Sequence, residues 1–334
     1  MTPENITIAV TVYNRRQYVK QAIASALDQT APVRVLVVED CGPDSTLEGF
    51  VKAEFGSRIE YVRNPRRRGL FGNWNACLEW CRTEWISILH DDDFLAPNFV
   101  ETILKLAGAA PGLDLYFGQT VLVNEQGEPV PGSPFPAVAG PWKKIALTDV
   151  LYGSPLSFPG QLFRVASALG AGGFRASSCY CGEWEMWAKL IARGGAAQTR
   201  EFLGFFREHG AWDRGTNQVL RSGKAIPAAI VQHKRVLALL PPEGRIRFNR
   251  RDYQRRRPMP VMCLLRFGQT MSPRLLRYHA GLLRLSRAPH WRYVVFQQLT
   301  RLGGARFVKL MSWIWNRCRG DSEKRLSSRG GSES

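Results

Sequence analysis

Strand-like and helix-like segments alternate through the first 93 residues, and this alternation restricts the possible folds more than any other feature. The strand-like runs are apolar, rich in β-branched residues and closed by turn signals. Between them, apolar residues recur at helical spacing in 18–27, 45–55 and 72–81. Such alternation predicts a parallel sheet with helices on both faces. The predicted strands are ITIAVTV (6–12), VRVLVVED (33–40), IEYVRN (59–64) and WISILHDDD (85–93).

Polar residues stand at the carboxyl end of three of these strands. They are Tyr13 with Asn14, Glu39 with Asp40, and the aspartates 91–93. In open α/β sheets the ligand crevice lies beyond the carboxyl ends of the strands. The three clusters are therefore expected to converge on one edge of the sheet.

The three consecutive aspartates require a partner, because adjacent carboxylates repel one another and cannot pack unpaired into a core. A divalent cation held there could bridge the phosphates of a nucleotide, whereas the alternative is a solvated acidic turn. No GxGxxG follows the first strand and no GxxxxGK[ST] occurs in the chain, which argues against a dinucleotide-binding dehydrogenase and a P-loop NTPase. The metal would then have to hold the phosphates.

Positive charge is concentrated at the end of the chain. Residues 241–334 contain 21 Lys and Arg against 5 Asp and Glu, whereas the first 240 residues contain 25 against 23. The pattern over 241–326, in which Leu, Trp and Phe alternate with Arg at helical spacing, predicts a basic amphipathic extension. We expect this extension to bind an anionic membrane surface, and the alternative is that it forms a helical cap on the domain. The final residues, 327–334, are of low complexity and predicted to be disordered.

The cysteines and the hydropathy pattern bear on the compartment. Seven cysteines without a CxxC pair favour reduced thiols, and no signal-peptide pattern or apolar run of membrane-spanning length is found. A cytoplasmic protein is expected.

Several linked motifs carry a resemblance to a known family. Residues 6–30, 33–46 and 62–101, followed by GEWEMWAKLIARGG (182–195) and FFREHG (205–210), resemble the inverting "family 2" glycosyltransferases. The resemblance covers about the first 215 residues. It implies an α/β GT-A fold, with a Rossmann-like mixed, mostly parallel sheet flanked by helices. Residues 1–110 would form the nucleotide-sugar-binding half and 111–240 the acceptor-binding half.

The resemblance also assigns residues to the donor and the metal. Thr11 and Tyr13 would line the nucleoside and Asp40 would bond the base, with Asn14, Asn75 and Asp91 in the same nucleotide site. Asp92 matches the metal ligand of the DXD motif, beside Asp93, and the cofactor would be Mn²⁺ or Mg²⁺. His90 replaces the usual first aspartate of the motif. His90 and Arg207 are candidate diphosphate contacts, and His209 is either a further metal ligand or a packing residue of its loop.

The resemblance also implies that the catalytic base is a carboxylate at the start of the helix that follows the acceptor loops. Glu183 occupies that position, where many relatives carry Asp. Glu185 lies two residues further on, and its alternative interpretation is a salt-bridge partner.

The function implied is metal-dependent transfer of a sugar, most simply from a UDP-sugar, to a saccharide or lipid-linked acceptor in bacterial surface polysaccharide synthesis. The enzyme would be peripheral on the inner face of the plasma membrane. The alternatives are a nucleotide-sugar-binding protein without catalysis, a nucleotidyltransferase, and a nucleic-acid-binding protein that uses the basic tail. The last leaves the carboxylate clusters unexplained, because they would repel a phosphate backbone, so no nucleic-acid partner is expected.

Overall fold

The structure is a computed structural model that describes residues 1–130, 138–154, 156–175, 177–178, 181–208, 215–222, 224–244, 274 and 306–313. The chain forms two compact units, one of residues 1–178 and 182–208 and the other of 179–181 and 209–334. The first unit contains all the strands given below, from both predicted halves of the GT-A domain. The predicted domain boundaries themselves stay a prediction.

The elements of the described residues follow the predicted alternation. The strands are β1 (Ile6–Val12), β2 (Arg34–Glu39), β3 (Glu60–Arg63), β4 (Trp85–His90), β5 (Phe94–Leu95), β6 (Leu115–Val123), β7 (Trp142–Ile145), β8 (Gln161–Arg164) and β9 (Ala196–Arg207). The helices of the first unit are α1 (Arg16–Leu27), α2 (Leu47–Phe55), α3 (Leu70–Trp80), α4 (Phe99–Ala109), α5 (Val165–Gly170) and α6 (Gly182–Gly194). The second unit contains α7 (Gly215–Ser222) and α8 (Ala225–Leu237), and residues 306–313 are also helical.

The strands form one mixed sheet in the order β3-β2-β1-β4-β8-β6-β9-β5, and β7 pairs with β9. The ladders among β3, β2, β1 and β4 are parallel, as is the ladder between β6 and β9, and they hold most of the paired residues. The remaining pairs are antiparallel, and β8 lies between β4 and β6. The predicted mixed, mostly parallel sheet is confirmed.

Strand β1 lies at the centre of the core and is buried along its whole length. Ile6, Ile8, Val10 and Val12 belong to one apolar cluster together with residues of α1, α2 and α4. The alternate residues point to the other face of the sheet because side chains alternate along a strand, and Thr7 there bonds to Thr83. Because both faces of the strand are buried, the alternate positions carry Thr and Ala and no charged residue.

The sequence predicts β4 three residues too long. The strand ends at His90, and Asp91–Asp93 form a turn in which the Asp93 N–H donates to the His90 carbonyl at 3.3 Å. A turn can direct three carboxylates to one region, whereas a strand would send alternate ones to opposite faces. The site depends on this difference.

Candidate active site

Two of the polar clusters at the strand ends are in direct contact. The backbone N–H of Tyr13, directly after β1, donates to Asp91 Oδ2 at 3.2 Å. Asp40, directly after β2, is buried and accepts hydrogen bonds from the backbone N–H groups of Arg68 at 2.6 Å and Gly69 at 2.8 Å. Asp40 is thereby tied to the loop that begins α3 and not to the aspartate turn.

Arg15 neutralises part of the aspartate cluster. Its Nη1 atom lies 2.7 Å from Asp92 Oδ2 and 3.3 Å from Asp91 Oδ1. Burial, followed by the negative charge of Asp92, nonetheless raises the pKa of Asp91 to about 6, against the opposing charge of Arg15. Arg15 is not among the residues predicted from the sequence, although a basic residue immediately after the first strand-end cluster is the signal that could have found it.

Three side chains at the turn are close enough to share a metal ion. Ligand atoms of His90, Asp92 and Asp93 all lie within 4.8 Å of one another. His90 Nε2 is buried and has no hydrogen-bond partner among the described residues, and the buried Asp93 Oδ2 lies 3.3 Å from His90 Nδ1. Burying such polar atoms costs free energy unless something satisfies them, and carboxylate oxygens with an imidazole nitrogen are a fitting donor set for a divalent cation.

Aromatic rings hold His90 in place. Its imidazole stacks on Phe158, with ring centroids 4.3 Å apart, and on Trp74 at 5.4 Å. Burial lowers the pKa of His90, but the contact with Asp93 and the charges of the neighbouring aspartates raise it more, so the net shift is upward. The imidazole at the first position of the motif is therefore packed between aromatic rings and interacts with the charges of the neighbouring aspartates.

Arg207 holds the aspartate turn in position through hydrogen bonds to Asp92 and Asp93. The side chain is buried, and its backbone N–H donates to Asp93 Oδ1 at 2.9 Å. Its guanidinium donates to Asp92 O (2.8 Å), Asn124 O (3.1 Å), Glu125 O (2.7 Å) and Gln21 Oε1 (2.5 Å). These contacts give Arg207 a positioning role. The predicted diphosphate contact stays a prediction, and it would require Arg207 to exchange one of these bonds.

Replacing Arg207 with Lys is expected to lower the free energy of unfolding by about 2–4 kcal/mol, because an ammonium group cannot reach these divergent acceptors and leaves buried carbonyls unpaired. Urea denaturation measures the loss. Arg200→Lys is the matched control, since Arg200 is exposed on β9 and should change stability by no more than about 0.5 kcal/mol. Equal stability of the two variants would contradict the positioning role.

Glu183 is the second residue of α6 and is half-buried. Burial raises the pKa of its carboxyl, and the charge of His90 offsets only part of that shift. No ion pair joins Glu183 to another described residue. A carboxylate with a raised pKa that interacts with the charge of the candidate metal ligand His90 is suited to accept a proton.

Glu185, two residues further along α6, has a different environment. It is buried and pairs with Arg175 Nη2 at 3.0 Å and Lys189 Nζ at 3.2 Å. Burial alone would raise the pKa of Glu185, but these two cations lower it. Its carboxylate thus joins α6 to Arg175.

The residues predicted to bind the nucleotide fall into two groups. Tyr13 is half-buried beneath the guanidinium of Arg67, 4.5 Å from the ring centroid, and Asn14 is exposed. Thr11 is buried and donates to Leu89 O at 3.3 Å, whereas Asn75 bonds through both side-chain ends to the backbone of Phe174, at 2.7 Å each.

Tyr13 and Asn14 can therefore meet a ligand directly, whereas Thr11 and Asn75 would first have to release these bonds. Their predicted role in nucleotide binding stays a prediction. His209 lies outside the described residues.

The mixed, mostly parallel sheet flanked by helices is the GT-A fold predicted from the sequence. Residues 7–145 match the family model described as "Glycosyl transferase family 2". The match covers less than half of the chain, and this part of the chain is similar to that family.

Curated relatives match over part of their length. Succinoglycan biosynthesis protein ExoO of Rhizobium meliloti is 35% identical over 107 residues, 32% of this chain and 30% of that protein. Putative glycosyltransferase EpsH of Bacillus subtilis is 26% identical over 107 residues, 31% of this chain and 30% of that protein. Chondroitin synthase of Pasteurella multocida is 32% identical over 108 residues, 30% of this chain and 10% of that protein. The chain thus spans about a third or less of the length of these relatives.

The fold of this chain is also similar to that of solved structures. S. aureus TarS 1-349 in complex with UDP superposes with a TM-score of 0.53 at 16% identity, covering 95% of this chain and 92% of that chain. The UDP-GlcNAc complex of the same protein gives 0.55 at 14% identity, with the same coverage. At this identity the comparison establishes the fold alone.

In the described part of the chain, every helix is too short or too polar to cross a membrane.

Proposed function

We propose that this protein is a metal-dependent inverting glycosyltransferase that uses a UDP-sugar donor and a saccharide or lipid-linked acceptor in bacterial surface polysaccharide synthesis. The observation that carries the proposal is the cluster of His90, Asp92 and Asp93 within 4.8 Å, together with Glu183, whose pKa is raised by burial against the opposing charge of His90. The names of the relatives ExoO and EpsH support the reaction class and the polysaccharide setting.

In the proposed reaction Glu183 accepts the proton of the acceptor hydroxyl. The acceptor oxygen then forms a bond to the anomeric carbon on the face opposite the nucleotide, while the bond from that carbon to the diphosphate oxygen breaks and the configuration inverts. When bound, the divalent cation neutralises the charge that develops on the leaving diphosphate. His90, Asp92 and Asp93 would hold it, and a ligand set that includes imidazole favours Mn²⁺ over Mg²⁺.

A thermal-shift screen of nucleotide sugars with Mn²⁺, Mg²⁺ or EDTA tests the donor class. A ligand at 100 times its Kd stabilises the folded state by about 2.7 kcal/mol, so a UDP-sugar with Mn²⁺ should raise the melting temperature, and EDTA should abolish the shift. Release of UDP measured in the same samples reports turnover. If no nucleotide sugar gave a metal-dependent shift, the proposed donor site would be wrong.

The proposed membrane location rests on the basic tail, which lies almost entirely outside the described residues. Removing the residues after 241 is expected to abolish binding to vesicles rich in anionic lipid, because each basic residue near such a surface contributes about 1 kcal/mol. Turnover on a soluble acceptor analogue should change little. Co-sedimentation with anionic and neutral vesicles measures the effect. Aggregation of the truncated protein would instead favour the helical cap.

A further inference from the structure

A cavity of about 210 Å³ opens at the amino ends of the parallel strands. Thr7 in β1, Arg34 in β2 and Glu60 in β3 line it, together with Cys81 and Arg82, which precede β4. The aspartate turn follows the carboxyl end of β4, so the cavity lies at the opposite edge of the same sheet. Nothing in the proposed transfer reaction uses it.

The cavity carries an excess of positive charge. Three arginines line it, Arg34, Arg58 and Arg82, against the single carboxylate of Glu60. Arg82 Nη2 lies 3.5 Å from Glu60 Oε1, but both side chains are largely exposed, and exposed pairs of this kind hold their partners weakly. Arg34 forms no ion pair with any described residue. The charge favours an anionic ligand.

One of the arginines is already held in place. Arg58 donates from Nε to the carbonyl of Phe55 at 3.3 Å, and its guanidinium lies 5.5 Å from the centroid of the Phe55 ring. A guanidinium fixed in this way loses less conformational entropy when it binds a carboxylate or phosphate, and it offers the planar, two-pronged geometry that such groups match.

An indole adds an apolar surface to the basic cavity. Trp80, the last residue of α3, lines the cavity and leaves 42% of its surface exposed. An exposed Trp beside arginines offers a flat face on which the C–H side of a sugar ring can pack while a charged substituent reaches the guanidinium groups. The volume is below the roughly 300–1,000 Å³ of sites for drug-sized ligands, so it suits one unit of a longer ligand.

We propose that this cavity binds an anionic sugar unit, a hexuronate residue of an acidic glycan, with the carboxylate on Arg34 and Arg58 and the ring on Trp80. The site is separate from the donor site at the other edge of the sheet. It would keep a charged glycan on the protein independently of the transfer step. The binding does not depend on the proposed transferase activity, and a binding assay tests it directly.

Isothermal titration of the full chain with a tetragalacturonate, and with the same oligosaccharide after reduction of its carboxyl groups, tests the proposal. The charged form should bind at least 10-fold more tightly than the reduced form. Arg34→Ala and Trp80→Ala should each weaken it at least 10-fold, with Trp80→Phe restoring part of the affinity. Arg34 is exposed, so its variant should keep the wild-type melting temperature.

Two controls separate this site from surface charge and from the donor site. Arg200→Ala removes an exposed arginine that does not line the cavity and should leave the affinity unchanged, and Asp92→Asn should also leave it unchanged. Equal binding of the charged and reduced oligosaccharides would overturn the proposal, as would full affinity in Arg34→Ala. Inorganic phosphate that binds as tightly as the oligosaccharide would overturn the recognition of a sugar.

Discussion

Glu183→Gln is expected to reduce glycosyl transfer by about 10²- to 10⁴-fold while the affinity for the nucleotide-sugar donor barely changes. The amide keeps the shape of the side chain but cannot accept the proton of the acceptor hydroxyl. Burial raises the pKa of Glu183, so the folded state disfavours its ionised form and the neutral amide should not lower the melting temperature. Transfer rate, donor affinity and melting temperature, measured on one preparation, give the result.

Glu185→Gln is the matched control on the same helix, and its expected effects are reversed. Arg175 and Lys189 lower the pKa of Glu185, so its ionised form stabilises the fold, and the amide should cost about 1–3 kcal/mol of unfolding free energy. Transfer by the folded fraction should remain near the wild-type rate.

Loss of catalysis in Glu185→Gln with normal turnover in Glu183→Gln would mean that the base has been placed two residues out of register. Normal turnover in both variants would mean that the protein is not a transferase of this type or that its base lies elsewhere.

The pH dependence of transfer gives an independent test of the same carboxylate. A general base must be deprotonated, so the rate should rise with pH as Glu183 loses its proton, and its raised pKa moves this acid limb above the roughly 4.3 of an ordinary Glu. Stopped-time assays across pH 4–8 measure the limb. In Glu183→Gln the residual rate should no longer show it, and a limb that persisted unchanged would belong to another group.

Asp92→Asn is expected to abolish metal-dependent nucleotide binding and to leave the sheet folded. Removing one anionic ligand weakens a site for a hard cation, while it also relieves repulsion beside Asp91, whose pKa is raised partly by the charge of Asp92. Titration with Mn²⁺ alone, followed by electron paramagnetic resonance, reads the metal site without reference to activity. At least a 10-fold loss of Mn²⁺ affinity is expected.

The control for Asp92→Asn is Asp149→Asn, which makes the same chemical change at an exposed aspartate. It should bind Mn²⁺ and UDP like the wild type. Wild-type binding by Asp92→Asn would show that the three aspartates do not hold a cation in this protein. Nucleotide binding that is retained without metal would favour the nucleotide-sugar-binding alternative.

Much of the fold could be predicted from the chain because its signals are local. β1 is a run of buried apolar residues and α1 repeats its apolar residues at helical spacing, so both elements appear in the sequence at nearly their observed bounds. The end of β4 was predicted three residues too late, because the pattern of apolar residues does not distinguish a strand that continues from one that turns. The hydrogen bond from Asp93 to the His90 carbonyl makes that difference.

The site was predictable in its location but not in its contacts. The residue types and the predicted ends of the strands are enough to predict that the aspartate turn lies at the edge of the sheet. The partners of Arg207 could not be foreseen, because its guanidinium meets Gln21, which is 186 residues away in the chain, and two carbonyls near residue 124. The different environments of Glu183 and Glu185 likewise depend on Arg175, which only the folded structure brings into contact with α6.

The position of β8 between β4 and β6 has a consequence during synthesis of the chain. Strand β4 leaves the ribosome about 70 residues before its antiparallel neighbour β8. At a translation rate of roughly 5–20 residues per second, the edge of β4 stays unpaired for about 4–14 s. An open apolar edge is a template for association with other nascent chains. Slowing translation between codons 91 and 160 should therefore increase aggregation in cells, whereas the same delay after codon 208 should not.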